Sequence, residues 1–268
     1  MPFASNNGTK IYWDEQGAGP PILLIMGLGY PSLMWYRTRP VLANSYRTIA
    51  LDNRGVGHSD VPRGPYSMAA MADDAAAVLD AAGVSRAHVY GVSMGGMIAQ
   101  ELALRCPQRV NSLVLGGTAA GGPTAVRAEP AALEMLRAIA NMPADQGAEA
   151  AVPFIYDLGT QRSLIEEDIA VRRPFFARRE GYQAQLQAIL GWESYTRLSQ
   201  ITAPTLVIHG KNDRLVPKGN GELIASRIPT ARLVLLERAG HLFSTDQPDA
   251  AHAAIQEFLS SQSRPERP

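Results

Sequence analysis

Gly91-Val92-Ser93-Met94-Gly95 sets a hydroxyl between two residues without side chains, after the apolar run Val89-Tyr90 and before the helical pattern Met97-Ile98-Ala99. A serine in so tight a strand-to-helix turn adopts a strained backbone, so its neighbours at minus two and plus two must lack bulk. Its hydroxyl would stand above a helix N-terminus, where unpaired N–H groups and the helix dipole favour developing negative charge. The chemistry on offer is nucleophilic attack on an electrophilic carbon. The spacing alone is equally that of a glycine-rich turn.

A serine hydroxyl is scarcely ionised at neutral pH and needs a base, which is most often histidine. The chain has five histidines. His88 opens the strand that leads to Ser93 and reads as structural, while His58 in a glycine-rich loop and His252 on a terminal helix have no neighbourhood that asks for catalysis. His209 ends a strand and reads as a strand-end hydrogen-bonding group that could border a site. His241, in Ala239-Gly240-His241-Leu242-Phe243 after the last strand, is the best base. A base histidine needs a carboxylate to fix its tautomer and stabilise its imidazolium. Asp213, in the loop after Thr205-Leu206-Val207-Ile208, fits that role; by itself it is an ordinary turn residue in Lys-Asn-Asp. An acid limb in kcat/KM is then expected as His241 takes up a proton.

These residues need a frame that brings strand ends together. Lys10 to Asp14 follows the turn-like Asn7-Gly8 and reads as a strand paired antiparallel with the Phe3 segment. Pro21 to Met26, Arg47 to Leu51, Ala87 to Tyr90, Ser112 to Leu115, Thr205 to Ile208 and Leu233 to Leu236 are unbroken apolar runs, as in parallel strands covered on both faces. Helical patterns lie between them. Ser67 caps one with Met71, Ala75, Val78, Leu79 and Ala82 on a single stripe, closed by Gly83. The helix after Ser93 stops near Pro107. Such alternation gives a mostly parallel, doubly wound α/β sheet, eight-stranded, with helices on both faces and its ligand site beyond the carboxyl ends of the strands.

The alternation breaks after Gly116-Gly117 and resumes at Thr205. The interval is helical in character, over Pro130 to Ala140 and Tyr182 to Leu190 and from a capping box at Ser163-Leu164-Ile165-Glu166. The expected division is a core of residues 1–117 and 199–260, a helical lid over 118–198 and a flexible tail over 261–268.

Taken together, the chain resembles the α/β-hydrolase family over nearly its whole length. Leu51 to Asp60 looks like the family's Asp-x-Arg-Gly-x-Gly-x-Ser loop, Pro204 to Pro217 like its acid segment Pro-Thr-Leu-x-x-x-Gly-x-x-Asp-x-x-x-Pro, and Gly240-His241 like its terminal Gly-His. The resemblance implies Ser93 as nucleophile, His241 as general base and then acid, and Asp213 as the orienting carboxylate. It also implies an oxyanion hole from the backbone N–H groups of Met94 and Leu28. Many relatives begin the latter loop with His-Gly; this chain has Met26-Gly27-Leu28-Gly29, so a histidine's hydrogen bonds are absent there, and Met26 reads as plain core. Gly27, Trp192 and Leu242 are the candidates to border the substrate. Carbon–carbon hydrolases of the family often carry tryptophan after Gly-His, where Leu242 stands.

The implied activity is hydrolysis of a carboxylic ester or lactone of a small, mostly apolar substrate through an acyl-enzyme. An apolar and aromatic lid (Met135, Leu136, Phe154, Phe176, Tyr182) suits such a substrate. Arg172, Arg173, Arg178 and Arg179 could recognise a carboxylate, although a solvated helix face is the reading favoured for them. Two other readings stay open: a cofactor-free lyase, oxygenase or perhydrolase of the same fold, and a ligand receptor that keeps the three residues.

Lys plus Arg equals Asp plus Glu at 25 each, which gives no field to attract nucleic acid or an anionic membrane. No cofactor and no metal are expected, the histidines lacking ligand spacing. The partner expected is a small-molecule ester or lactone, without nucleic acid or membrane, and a homodimer is left open. The single cysteine, Cys106, reads as a structural thiol. No signal-peptide pattern opens the sequence, and the most apolar run, Ile22 to Leu28, is far shorter than the roughly 20 residues that span a bilayer. The expected location is cytoplasmic.

Overall fold

In the computed structural model, which describes residues 2–262, β1 (Phe3–Asn6) and β2 (Thr9–Gln16) form an antiparallel hairpin. Asn7 and Gly8 turn it, both at positive φ, as a two-residue hairpin with right-twisted strands requires. β3 (Pro21–Ile25), α1 (Arg39–Leu42), β4 (Arg47–Leu51), α2 (Met68–Ala81), β5 (Ala87–Val92), α3 (Met94–Arg105) and β6 (Val110–Gly116) follow. Four helices then intervene: α4 (Pro130–Ile139), α5 (Ala144–Ile155), α6 (Arg162–Arg172) and α7 (Arg179–Leu190). The sheet resumes with β7 (Thr205–Gly210), α8 (Gly219–Arg227) and β8 (Ala231–Leu236), and the chain continues through α9 (Phe243–Asp246) and α10 (Pro248–Gln262).

The eight strands form one sheet in the order β1-β2-β4-β3-β5-β6-β7-β8. β2 runs antiparallel to β4, and every pairing from β4 to β8 is parallel. Register aligns the carboxyl ends: Ile25 pairs with Gly91, Gly91 with Leu115, Gly116 with Ile208 and Gly210 with Leu236. The loops after β3, β5, β7 and β8 therefore leave from one edge of the sheet.

Side chains alternate across each strand, so the two faces bury different sets. Leu23, Ile25, Val89 and Leu113 pack against α2 and α3 through Met71, Val78, Ile98 and Leu102. Ile22, Leu24, Tyr90 and Val114 pack against Trp35, Leu42, Phe243, Ile255 and Phe258 on the other side. Ser67 caps α2 by accepting from the Ala70 amide, and Gly83 follows the helix at positive φ.

Three sequence expectations need correction, and one helix is not foreseen. β8 forms the sheet's edge, so Leu233, Val234 and Leu235 are half-buried rather than covered on both faces. No capping box forms at Ser163: α6 begins at Arg162 without a side-chain cap, and Glu166 pairs with Arg162 one turn back. The terminal helix runs on to Gln262, with the Ser260 and Ser261 hydroxyls returning to the Glu257 and Phe258 carbonyls, so 261 and 262 are helical. Residues 263–268 of the expected tail lie outside the described residues. α5 is not legible in the sequence, because Gly147 and Pro153 interrupt its helical pattern; Pro153 lies in its last turn, where it costs one intrahelical hydrogen bond.

Cys106 is half-buried at the end of α3. His88 is buried, with Nδ1 2.8 Å from the Ser112 hydroxyl, and His252 is buried beside Thr38. Burial lowers both imidazoles below the ordinary histidine value, aided at His88 by the Arg86 charge. A histidine depressed in the folded state takes up its proton later than the unfolded chain does, so stability holds above about pH 6.5 and is lost as pH falls below it. The melting temperature should decline as pH falls below about 6.5, and less steeply in His88→Asn; an unchanged slope in the variant would rule out His88 as a contributor.

No helix among the described residues is long and apolar enough to cross a membrane.

Candidate active site

Ser93 sits between β5 and α3 at φ 56° and ψ −122°, a conformation that side chains strongly disfavour. The surroundings hold it there. Its amide donates to the Gly116 carbonyl at 2.8 Å, and its carbonyl accepts from the Thr118 hydroxyl at 2.7 Å and the Gly96 amide at 2.9 Å. The flanking glycines are required by contact: a Cβ on Gly91 would overlap the Gly95 carbonyl, and one on Gly95 would overlap the Ile25 carbonyl. Gly95→Ala should therefore force β3 and α3 apart and cost about 3 kcal/mol or more. A melting temperature within a degree or two of the parent protein would refute the close approach.

His241 and Asp213 meet as the sequence order required. The imidazole Nδ1 lies 2.8 Å from Asp213 Oδ2, with both groups buried. Asp213 Oδ1 accepts from the amides of Val216 at 2.7 Å and Leu215 at 3.0 Å, so its own loop fixes the carboxylate's orientation. Burial by itself would raise this carboxyl. The charge of His241 and hydrogen bonds from His209 and His241 outweigh it and hold Asp213 below the ordinary aspartate value. His209 thus does more than end a strand: its Nε2 is 2.7 Å from the Val216 carbonyl and 3.3 Å from Asp213 Oδ2. A carbonyl can only accept, so that nitrogen carries a proton.

Ser93 and His241 line one cavity of about 670 Å³, which extends from the carboxyl edge of the sheet to α4, α5, α6 and α7. Met94, Leu28, Gly27 and Leu242 also line it. Trp192 does not: it is buried against α3, where its indole N–H donates to Glu101 Oε2 at 2.9 Å. An indole donor at the core needs an acceptor, and the buried Glu101 supplies one. The expectation that Trp192 borders the substrate gives way to a structural role.

The loop over Met26–Gly29 is secured without a histidine. Asn53 Nδ2 donates to the Met26 carbonyl at 2.9 Å, and Gln185 of α7 accepts from the Gly29 amide at 2.8 Å while donating to the Arg54 carbonyl at 2.7 Å. Neither the Leu28 nor the Met94 amide has an acceptor among the described residues. Met26 is buried in the core and also faces the cavity.

The His241 loop is held from both sides. Asp246 accepts from the Gly240 amide at 2.7 Å, from the Asp157 amide at 3.1 Å and from the Thr160 hydroxyl at 2.6 Å, and burial raises its carboxyl above the ordinary value. The Leu242 amide donates to the Ile155 carbonyl at 2.8 Å. Asp168 of α6, also buried, accepts from the Tyr36, Tyr156 and Thr245 hydroxyls and from Arg37 Nε. Sequence reasoning found none of Gln185, Asp246 or Asp168, since each is a single polar residue on a helix whose partners lie 50 or more residues away or across a loop.

The four arginines around Pro174 separate. Arg173 pairs with Asp145, Arg178 is exposed, and Arg179 is exposed yet lines the cavity. Arg172 is half-buried on the cavity wall, its guanidinium over the Tyr30 ring at 4.3 Å and the Phe176 ring at 4.7 Å. A solvated helix face does not describe it.

Residues 20–248 match the family model of the alpha/beta hydrolase fold. The chain is 33% identical to a putative carbamate hydrolase RutD of Azorhizobium caulinodans, over 96% of this chain and 98% of that protein. It is 34% identical to a poly(3-hydroxyalkanoate) depolymerase of Ectopseudomonas oleovorans, over 90% of this chain and 85% of the other. Among solved structures, the enol-lactonase from Burkholderia xenovorans LB400 superposes with a TM-score of 0.85 at 28% identity, covering 97% of this chain and all of that one. These homologues are hydrolases.

Proposed function

This chain belongs to the α/β-hydrolase fold family, and we propose that it is a serine hydrolase cleaving a carboxylic ester or lactone of a small, mostly apolar substrate. The observation that carries the reading is a serine held at positive φ on the wall of the same cavity as a histidine whose far nitrogen is bonded to a buried carboxylate. Relatives named for carbamate, poly(3-hydroxyalkanoate) and enol-lactone cleavage point to acyl chemistry.

Asp213 holds His241 with Nδ1 protonated, which leaves Nε2 as the acceptor. Ser93 Oγ attacks the carbonyl carbon and its proton passes to His241. The oxygen that becomes an oxyanion is received by the amides of Leu28 and Met94, and a preorganised donor pair of this kind lowers the barrier by several kcal/mol, about 3 per donor. Collapse expels the alkoxide, which takes the proton from His241. Water then attacks the acyl-enzyme while His241 accepts its proton, and His241 returns that proton to Ser93 Oγ as the oxygen departs and the carboxylic acid is released. In this reading the helices α4 to α7 are a lid that excludes water from the acyl group.

Mixing the protein with an excess of a 4-nitrophenyl ester tests the proposal. A rapid release of one equivalent of nitrophenol, followed by slower turnover, is expected for an acyl-enzyme. Turnover that persists unchanged after full reaction with a fluorophosphonate would overturn the acyl-enzyme mechanism, because the ester would then be cleaved without a covalent bond to Ser93.

A further inference from the structure

We propose that the acyl chain this site accepts ends in a carboxylate, which Arg172 binds. The inference rests on the ester-hydrolase reading of Ser93. The cavity walls are chiefly apolar, yet three cations, Arg127, Arg172 and Arg179, line the cavity and no aspartate or glutamate among the described residues does. None of the three takes part in an ion pair among the described residues, whereas eleven other arginines of the chain do. Side-chain charge in the cavity is thus all of one sign, in a chain that balances 25 cationic against 25 anionic residues. A low-dielectric cleft with one sign of charge concentrates ligands of the opposite sign.

Arg172 is the member suited to recognition. Tyr30 and Phe176 stack against its guanidinium. The two rings offset part of the cation's desolvation and Tyr30 also engages the guanidinium through its hydroxyl, while the remaining N–H donors can meet a carboxylate, which takes two of them in parallel. Its Nε is buried and lacks a hydrogen-bond partner among the described residues. The nearest acid on its own helix, Asp168, is already engaged by three hydroxyls and Arg37. An unpaired guanidinium on an apolar wall is costly, and a ligand carboxylate that meets its terminal N–H groups from the cavity would reduce that cost. Arg127 and Arg179, both exposed, would attract the anion without holding it.

The experiment compares mono-4-nitrophenyl esters of adipic, suberic and sebacic acids with neutral 4-nitrophenyl alkanoates of equal chain length. At one length or more, the half-acid should have the higher kcat/KM, by about 10- to 100-fold. In Arg172→Met that ratio should collapse toward one, while Arg178→Gln, outside the cavity, should keep it. Hydrolysis of the neutral ester in the same Arg172→Met sample reports that the protein is folded. Neutral esters preferred at every length, or a preference that survives Arg172→Met, would overturn the proposal. Failure of the hydrolase reading looks different: neither ester class would release nitrophenol. Calorimetry then still tests the carboxylate site, since Ser93→Ala protein should bind monomethyl suberate and Ser93→Ala/Arg172→Met protein should bind it at least tenfold more weakly; equal affinities would overturn the proposal.

Discussion

Ser93→Ala should abolish the nitrophenol burst and lower kcat by roughly 10⁴- to 10⁶-fold, the scale found when a serine protease loses its nucleophile. The fold should not suffer. Alanine at φ 56° is as strained as serine, and the restraints on this residue come from its backbone bonds to Gly116, Thr118 and Gly96, which survive the change. Fluorophosphonate labelling should vanish in parallel, with the melting temperature within a few degrees of the parent. Residual catalysis should persist slightly above background, because the amides of Leu28 and Met94 remain. Turnover equal to that of the parent would remove Ser93 from the mechanism altogether.

Asp213→Asn should be nearly as damaging, at roughly 10⁴-fold in kcat, by reversing a tautomer. Oδ1 of Asp213 accepts from the amides of Leu215 and Val216. An asparagine must keep its oxygen at that position, since an NH₂ group there would face two donors. The NH₂ is then directed at His241, where Oδ2 now lies 2.8 Å from Nδ1. Nδ1 becomes an acceptor and the ring proton moves to Nε2, which can no longer take a proton from Ser93. The loss should therefore appear in kcat much more than in KM, and a variant that changes KM alone would place Asp213 in binding instead. His209 opposes this orientation in part, since its protonated Nε2, 3.3 Å from the same oxygen, would face the new NH₂; that is one donor against the two amides at Oδ1.

Much of this site was legible because strands declare themselves locally. β4 was read at its observed bounds, Arg47 to Leu51, and the other apolar runs within a few residues, since continuous burial on both faces requires continuous apolar sequence. Ser93, Asp213 and His241 each follow such a run, and the order of the runs brings their loops to one edge. Trp192 misled because an aromatic residue within the expected lid reads alike whether it lines a pocket or anchors a wall; Glu101, 91 residues away, decides it. Arg172 misled in the opposite sense. Its charge suggested solvent, but Tyr30, which covers it, comes from the loop after β3.

The sequence by itself determined the sheet, the strained turn at Ser93 and the three residues, Ser93, Asp213 and His241, whose loops leave one edge of that sheet. Those features depend on short-range rules: burial by alternation, glycine where a Cβ cannot fit, and a loop after every strand. Tertiary structure alone decided how the site is held and what charge it presents. Gln185 on the Gly29 amide, Asp246 on the Asp157 amide and the Thr160 hydroxyl, and Asp168 on the Thr245 hydroxyl each join polar groups distant in the chain. The sign of the cavity follows from which arginines lack such a partner. Pairing of buried donors and acceptors is a property of the packed interior, because only there does an unmatched group carry its full desolvation cost.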